Sequence, residues 1–379
     1  MYIGVIKEHR PDEYRVAITP SGVETLVEHG HQILVESGAG LGSGFNDSRY
    51  AAAGAVIVPD VAEIWERSAM MVKVQEPQPG EYSAMRPGQI ICAFFHLAGA
   101  PALLQAVLDS GCVAVAYETI ETPDGRLPVL APMSAVAGRM AIHQATRFLE
   151  RSQGGRGLLL GGVPGVEPAT VLILGGGVVG SSAARMAASL GARVLILDVD
   201  PERIHDLSDR MPPNVVPLMS DRQKLQETIL AADVVISAVL TPGARTPQLI
   251  TRNMLKRMQP GSVVIDVDIN QGGTLETAHP TTHSRPTYEL DGVIHYCVGN
   301  MPGALPLTAT PALTGHTLPY VLELANQGLQ QAINNDPALC KGINAIAGHI
   351  TSPPVAEAFG RPLTPVEEAL SLMTPENFS

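Results

Sequence analysis

The apolar run Thr170–Leu174 is followed at once by Gly175, Gly177 and Gly180, the G-x-G-x-x-G spacing. That spacing serves diphosphate anchoring. The first glycine permits a tight turn, the second lets the backbone approach a pyrophosphate, and the third lets helix and strand pack closely. The helix expected to open there presents unpaired N–H groups and its positive dipole end. Asp198 closes the next apolar run, 198 − 180 = 18 positions after Gly180. A carboxylate there accepts hydrogen bonds from ribose hydroxyls and repels a 2′-phosphate, which predicts NAD rather than NADP. Arg203 is the nearby residue that would favour the phosphate. The other reading of Asp198 is a cap on the helix expected at Pro201.

A second set of chemistry-bearing residues lies in the first third of the chain. Ligands of open parallel sheets collect at the carboxyl ends of strands, and His96 directly follows the apolar run Gln89–Phe95. Lys73 and Gln75 end Met70–Gln75 and share a face if that strand is regular. Arg15 opens Arg15-Val-Ala-Ile-Thr-Pro20, and Asp266 to Gly273 follows another apolar run. A guanidinium pairs bidentately with a carboxylate, and an imidazole exchanges protons near neutral pH. With a nicotinamide they suit oxidation of a small amino or hydroxy acid. Position alone leaves His96 open as a core histidine and Arg15 open as half of a surface ion pair.

The elements that must hold these residues alternate strand and helix. Thr19-Pro20 reads as an N-cap followed by proline at the first helical position, with Gly30 as the stop. Strands are expected at Tyr2–Ile6, Gln32–Glu36, Met70–Gln75, Gln89–Phe95 and Val113–Glu118, with helices over Asp60–Ser68 and Pro101–Ser110. Met133–Arg151 is long enough for a helix. The glycine- and proline-rich Gln153 to Pro168 must be loop, and no Gly-Lys-Ser/Thr ends it, so a P-loop is rejected. Beyond it, strands at Thr170–Leu174, Arg193–Leu197, Asp233–Ala238 and Ser262–Asp266 alternate with helices at Val178–Leu190, Pro201–Arg210, Arg222–Ala231 and Arg252–Met258. His316–Ile333 is a further helix, and the tail from Pro353 is weakly patterned. The expectation is α/β architecture: two doubly wound, Rossmann-like domains with a cleft between them.

Composition narrows the classes. Among 379 residues, 25 Lys+Arg against 37 Asp+Glu give a net charge of −12, which argues against a nucleic-acid partner. Hydrophobic residues at 45% and charged ones at 16% fit a folded chain of more than one domain. Aromatics make up only 4%, so the cores must be aliphatic. Cys92, Cys112, Cys297 and Cys340 are widely spaced, without CxxC or zinc-ligand spacing, so buried thiols and no metal site are expected. Neither a signal peptide nor an apolar run of about 18 residues is evident, which predicts a cytoplasmic protein with no membrane partner.

The chain resembles the NAD-dependent alanine dehydrogenase family, related to the nucleotide-binding part of the proton-translocating transhydrogenase. The resemblance runs over nearly the whole length. It is carried by Ile3-Gly-Val-Ile-Lys-Glu8, Arg15 to Pro20, Lys73-Val-Gln-Glu-Pro77, His96-Leu-Ala98, Ala116-Tyr-Glu-Thr119, Pro132-Met-Ser134, Gln153-Gly-Gly-Arg-Gly157, Gly161 to Val166, Gly175 to Gly180, Ala238-Val-Leu240, Gln271-Gly-Gly273 and Asn300-Met-Pro302. It implies a homohexamer in which an NAD-binding Rossmann domain, 130–307, is inserted in a substrate domain made of 1–129 and 308–379. It further implies that Arg15, with Gln75 and Lys73, binds substrate and that His96 is the acid/base. NAD would meet Ser134, Gly175, Gly177, Val178, Val179, Gly180, Asp198, Arg203, Ser220, Val239, Leu240, Val267, Asn270 and Met301. The implied reaction is the reversible conversion of L-alanine to pyruvate and ammonia.

Two positions depart from the family pattern. A catalytic lysine of the family is Gln75 here, and an aspartate before Gln-Gly-Gly is Asn270. Asp268 stands where a small apolar residue is usual. Losing a cation and an anion together is compatible with folding, because neither leaves the other unpaired. The chemistry suffers more, since losing one preorganised electrostatic group costs on the order of 10²–10³ in rate. Lys73 and Asp268, each two residues away, are the candidate substitutes. Weakened alanine turnover stands beside two alternatives: an amino acid dehydrogenase or imine reductase for another amino or 2-oxo acid, and an NAD-binding protein with little turnover.

Overall fold

Short aliphatic runs become strands wherever helices can cover both of their faces. The computed structural model describes residues 1–239 and 246–373. Strands β1 (Tyr2–Val5), β2 (Gln32–Glu36), β3 (Val56–Val58), β4 (Met70–Gln75), β5 (Ile90–Phe94) and β6 (Val113–Ala116) come first. Then follow β7 (Thr170–Leu174), β8 (Arg193–Asp198), β9 (Val215–Met219), β10 (Val234–Ser237), β11 (Val263–Asp266), β12 (Thr287–Leu290) and β13 (Val293–Tyr296). The last two are β14 (Ile343–Ile346) and β15 (His349–Ile350). Every residue of β4, β5, β6, β10 and β11 is buried, as expected of parallel strands covered on both faces.

The described residues form two compact units, one of 1–133 with 303–373 and one of 134–239 with 246–302. The first holds a sheet of order β15-β14-β6-β5-β4-β1-β2-β3, in which β1 to β6 run parallel and β14 and β15 are added antiparallel beyond β6. The second holds β12-β13-β11-β10-β7-β8-β9, parallel except for the edge strand β12. Both sheets are doubly wound. Strand order reverses between β1 and β4 in one and between β7 and β10 in the other, the places where loops at the carboxyl ends diverge to admit a ligand. The cores are mainly aliphatic: Ile64, Leu103, Leu104 and Val107 belong to the first, with Trp65 and Phe95 among them, and Leu172, Leu195, Ile229 and Val264 to the second.

Local signals set many boundaries. Thr19 caps the helix Pro20–Glu28, its hydroxyl accepting the Gly22 N–H at 3.2 Å. Gly111, left-handed at φ 65°, ends Pro101–Ser110. Asp200, not Asp198, caps Pro201–Arg210 by accepting the N–H groups of Glu202 and Arg203. The helix expected over Met133–Arg151 runs Leu130–Phe148. The one expected over His316–Ile333 extends over Pro306–Asn335, broken at Gly328, where φ is 74° and ψ 164°. The tail forms two short helices, Pro353–Phe359 and Val366–Ser371. Cys92, Cys112 and Cys297 are buried free thiols, and burial raises all three above the ordinary thiol value, Cys112 to about 11. Among the described residues no helix is long and apolar enough to cross a membrane, and no cluster of metal-ligating side chains occurs.

Candidate active site

In the first unit the reversal between β1 and β4 gathers a line of charged and amide groups. Arg15, 3% exposed, is bidentate on Glu13: Nε donates to Oε1 at 2.7 Å and Nη2 to Oε2 at 2.5 Å. Its Nη1 donates to the Met133 thioether at 3.1 Å, a weak acceptor that a carboxylate outcompetes. Gln75 donates from Nε2 to Glu13 Oε2 at 3.1 Å, and its Oε1 accepts from Arg10 Nη1 at 2.8 Å. The structure thus brings Arg15 and Gln75 together through Glu13.

Lys73 requires a correction. Register slips between Val72 and Gln75 where β4 pairs β5, so a bulge breaks the alternation that would set Lys73 and Gln75 on one face. Lys73 is fully buried, with Nζ 3.1 Å from Glu81 and 3.4 Å from Glu8. Burial pushes its ammonium down, but the two carboxylates together hold it above its ordinary value. Lys73 is thus a buried cation paired with two carboxylates.

His96 follows β5 with a left-handed backbone, φ 51° and ψ 38°, uncommon outside glycine. Glu118, in the turn Tyr117–Thr119 that follows β6, holds it there, accepting the N–H groups of Phe95 at 3.2 Å and His96 at 2.6 Å. The half-buried imidazole stacks on Phe94, with centroids 6.1 Å apart and planes 9° apart. Strain kept by a buried carboxylate at a strand's carboxyl end points to function. Sequence reasoning missed Glu13, Glu118 and Arg10 as parts of the site. Glu13-x-Arg15 was the one local signal, and the other pairings join residues far apart in the chain.

In the second unit the glycines act as their spacing predicted. Gly175 has φ 90°, and a Cβ there would lie 2.3 Å from Ala238 O. One on Gly180 would lie 1.9 Å from Gly175 O, whereas one on Gly177 would meet nothing within 4 Å. Turn, helix packing and an open approach for a diphosphate are therefore all present. Gly177 begins the helix Val178–Ser189, which also holds Val179, and no side chain caps its first turn. Asp198 is buried, accepting the Gly176 N–H at 2.6 Å, while Arg203 lies 3.7 Å from it and is exposed. Ser220 adjoins, its N–H donating to Asp198 O at 2.8 Å. Ser134 lies in Leu130–Phe148 one turn before Gly138, whose Cβ would come 2.2 Å from Val179 O. These residues fit a dinucleotide.

Val239 and Val267 follow β10 and β11, and the Val239 N–H donates to Asp268 Oδ2 at 2.7 Å. Burial, and then the neighbouring Asp266, raise the Asp268 carboxyl to about 8. Asn270 is exposed, against Gly299, where a Cβ would sit 2.4 Å from its Oδ1. Met301 is buried in a turn, Met301–Ala304. Leu240 lies outside the described residues.

Residues 4–137 match the N-terminal domain of the alanine dehydrogenase/PNT family, and residues 141–353 match its C-terminal domain. The chain is 49% identical to the alanine dehydrogenase of Methanococcus maripaludis over 98% of its own length and all of the relative's. It is likewise 49% identical to that of Bacillus subtilis strain 168, covering 98% of both. A solved L-alanine dehydrogenase superposes with a TM-score of 0.89 at 49% identity, over 95% of this chain and 99% of that one.

Proposed function

This chain belongs to the alanine dehydrogenase/PNT family, and on that premise we propose that it is an NAD-dependent amino acid dehydrogenase converting L-alanine reversibly to pyruvate and ammonia. The observation that carries the reading is the pair of reversal points. One bears a carboxylate-binding arginine braced by Glu13, and the other bears a glycine turn with a ribose-binding carboxylate.

Gly175, Gly177, Gly180 and the first turn after them hold the diphosphate of NAD, and Asp198 holds the adenosine ribose, with Ser134, Val178, Val179, Arg203, Ser220, Val239, Leu240, Val267, Asn270 and Met301 completing the set. NAD supplies the hydride acceptor. Arg15 binds the substrate carboxylate, with Glu13 fixing the plane of the guanidinium. Gln75 donates a hydrogen bond toward the carbonyl or amine end. Hydride loss from Cα leaves an iminium, and His96 takes a proton from the water that adds to it. His96 returns that proton to the carbinolamine nitrogen and takes up the hydroxyl proton as the C–N bond breaks, which releases ammonia and forms the pyruvate carbonyl. Residues 1–129 with 308–379 form the substrate domain and 130–307 the NAD domain, in a cytoplasmic homohexamer.

A second reading is favoured by one observation. With Lys73 buried between two carboxylates and Asn270 unable to accept a proton, the site lacks two groups that this chemistry uses. Turnover of alanine is then slow, and the substrate is another amino or 2-oxo acid. Following NADH absorbance with alanine, with pyruvate plus ammonium and with a panel of other amino and 2-oxo acids separates the readings. Turnover of alanine and pyruvate above all others supports the first. Silence on both at high enzyme concentration, with NAD still bound, rejects it.

A further inference from the structure

Gln75 stands where the family pattern has a lysine, yet its amide is not far from positive charge. The loop after β1 brings Arg10 to it, and Nη1 donates to Gln75 Oε1 at 2.8 Å while reaching Glu76 at 3.3 Å. On the other side Gln75 Nε2 donates to Glu13, which carries Arg15. A guanidinium has only donors and a carboxylate only acceptors, so just one orientation of the amide satisfies both. Flipping it would set NH₂ against guanidinium and C=O against carboxylate.

Resting on the dehydrogenase reading above, we propose that Arg10 is a positioning residue of the substrate site, fixing and polarising the Gln75 amide so that the cation missing from position 75 acts from one side chain further out. The line Arg10 to Gln75 to Glu13 is made of charge-assisted hydrogen bonds pointing one way, and such chains strengthen each member. Arg10, 24% exposed, is oriented at the β1–β4 reversal by its ion pair with Glu76. The arrangement also makes position 75 intolerant of the family's own residue. An ammonium offers Arg10 no acceptor and repels it.

The test uses wild type, R10Q, R10K, Q75K and R10Q/Q75K, with initial rates of pyruvate plus ammonium reduction and thermal melts. R10Q is expected to lower kcat/KM about ten-fold, mainly through KM, and R10K to recover most of that loss. In the Q75K background the same R10Q change is expected to raise kcat/KM. An equal effect of R10Q in both backgrounds, or a fall in melting temperature with KM unchanged, would overturn the assignment. A wild type without turnover defeats the dehydrogenase reading instead. The melts then decide on Arg10: Q75K should cost more with Arg10 present than in R10Q, and equal costs reject the proposal.

Discussion

Replacing Lys73 by Met tests whether this lysine is structural. Its ammonium and the carboxylates of Glu8 and Glu81 are all but inaccessible, with side-chain exposures of 0%, 1% and 5%. Removing one partner of a buried ion pair strands the other, at a cost of about 3–5 kcal/mol, or two to four decades in the folding equilibrium at about 1.4 kcal/mol each. The deficit depends on pH in a defined direction. Burial raises the Glu8 carboxyl above its ordinary value of 4.5, more than the Lys73 charge and the Val74 N–H lower it. A carboxyl raised in the folded state gives its full stability below the unfolded value and loses it as pH climbs through the folded value. Without Lys73 the Glu8 carboxyl moves higher still, so the loss at pH 8 is large. The deficit of Lys73→Met should therefore be smaller at pH 4.5 than at pH 8, since protonation of Glu8 removes a charge that Lys73 balances. Trp65, the one tryptophan of the chain, is 2% exposed in the first unit and reports its unfolding in urea. A deficit equal at both pH values would refute the ionic account. Wild-type stability at pH 8 with turnover abolished would make Lys73 a chemical group after all.

Two further expectations concern the second unit. Asp198→Asn keeps an acceptor for the Gly176 N–H but removes the charge, leaving Arg203 opposed only by Asp200; the preference for NAD over NADP should fall about ten-fold in paired binding titrations, and an unchanged ratio would mean that Asp198 does not read the ribose. Asp268 is raised from 3.8 to about 8 by burial and by Asp266, so between those values the unfolded chain has released a proton that the folded one holds. Its contribution therefore costs stability as pH rises, on the order of 1.4 kcal/mol per pH unit at most. Asp268→Asn should flatten calorimetric stability between pH 5.5 and 7.5, and parallel curves for the two proteins would contradict this.

What could be read from the sequence was what local chemistry dictates. Thr19-Pro20, Pro101 with Gly111, and Pro201 marked helix ends because caps and fixed φ angles act within a few residues. The glycine turn was legible for the same reason. β12 and β15 are short edge strands with little apolar pattern, β3 is apolar but only 3 residues long, and β9 carries Pro217, tolerated only because it lies at the sheet edge. Of the helix Pro306–Asn335 the stretch His316–Ile333 was legible, and Pro311 obscured its first turns. In the site, residue types were readable but partnerships were not. A bulge decided where Lys73 points, and Glu118 was tied to His96 by strand order alone.

The strand order of the first sheet also has a consequence for synthesis on the ribosome. β6 ends at Ala116, but its neighbour β14 begins at Ile343, so 343 − 116 = 227 residues separate them. At about 5–20 residues per second that interval lasts roughly 10–45 s. Throughout it β6 presents an open row of N–H and C=O groups, and by its end the second unit, whose sheet is drawn from a continuous stretch of chain, has all its strands. The nascent protein thus makes the strands of its second unit first and carries an unfinished sheet edge until β14 emerges. Chaperone demand and losses from premature termination should both concentrate in that window.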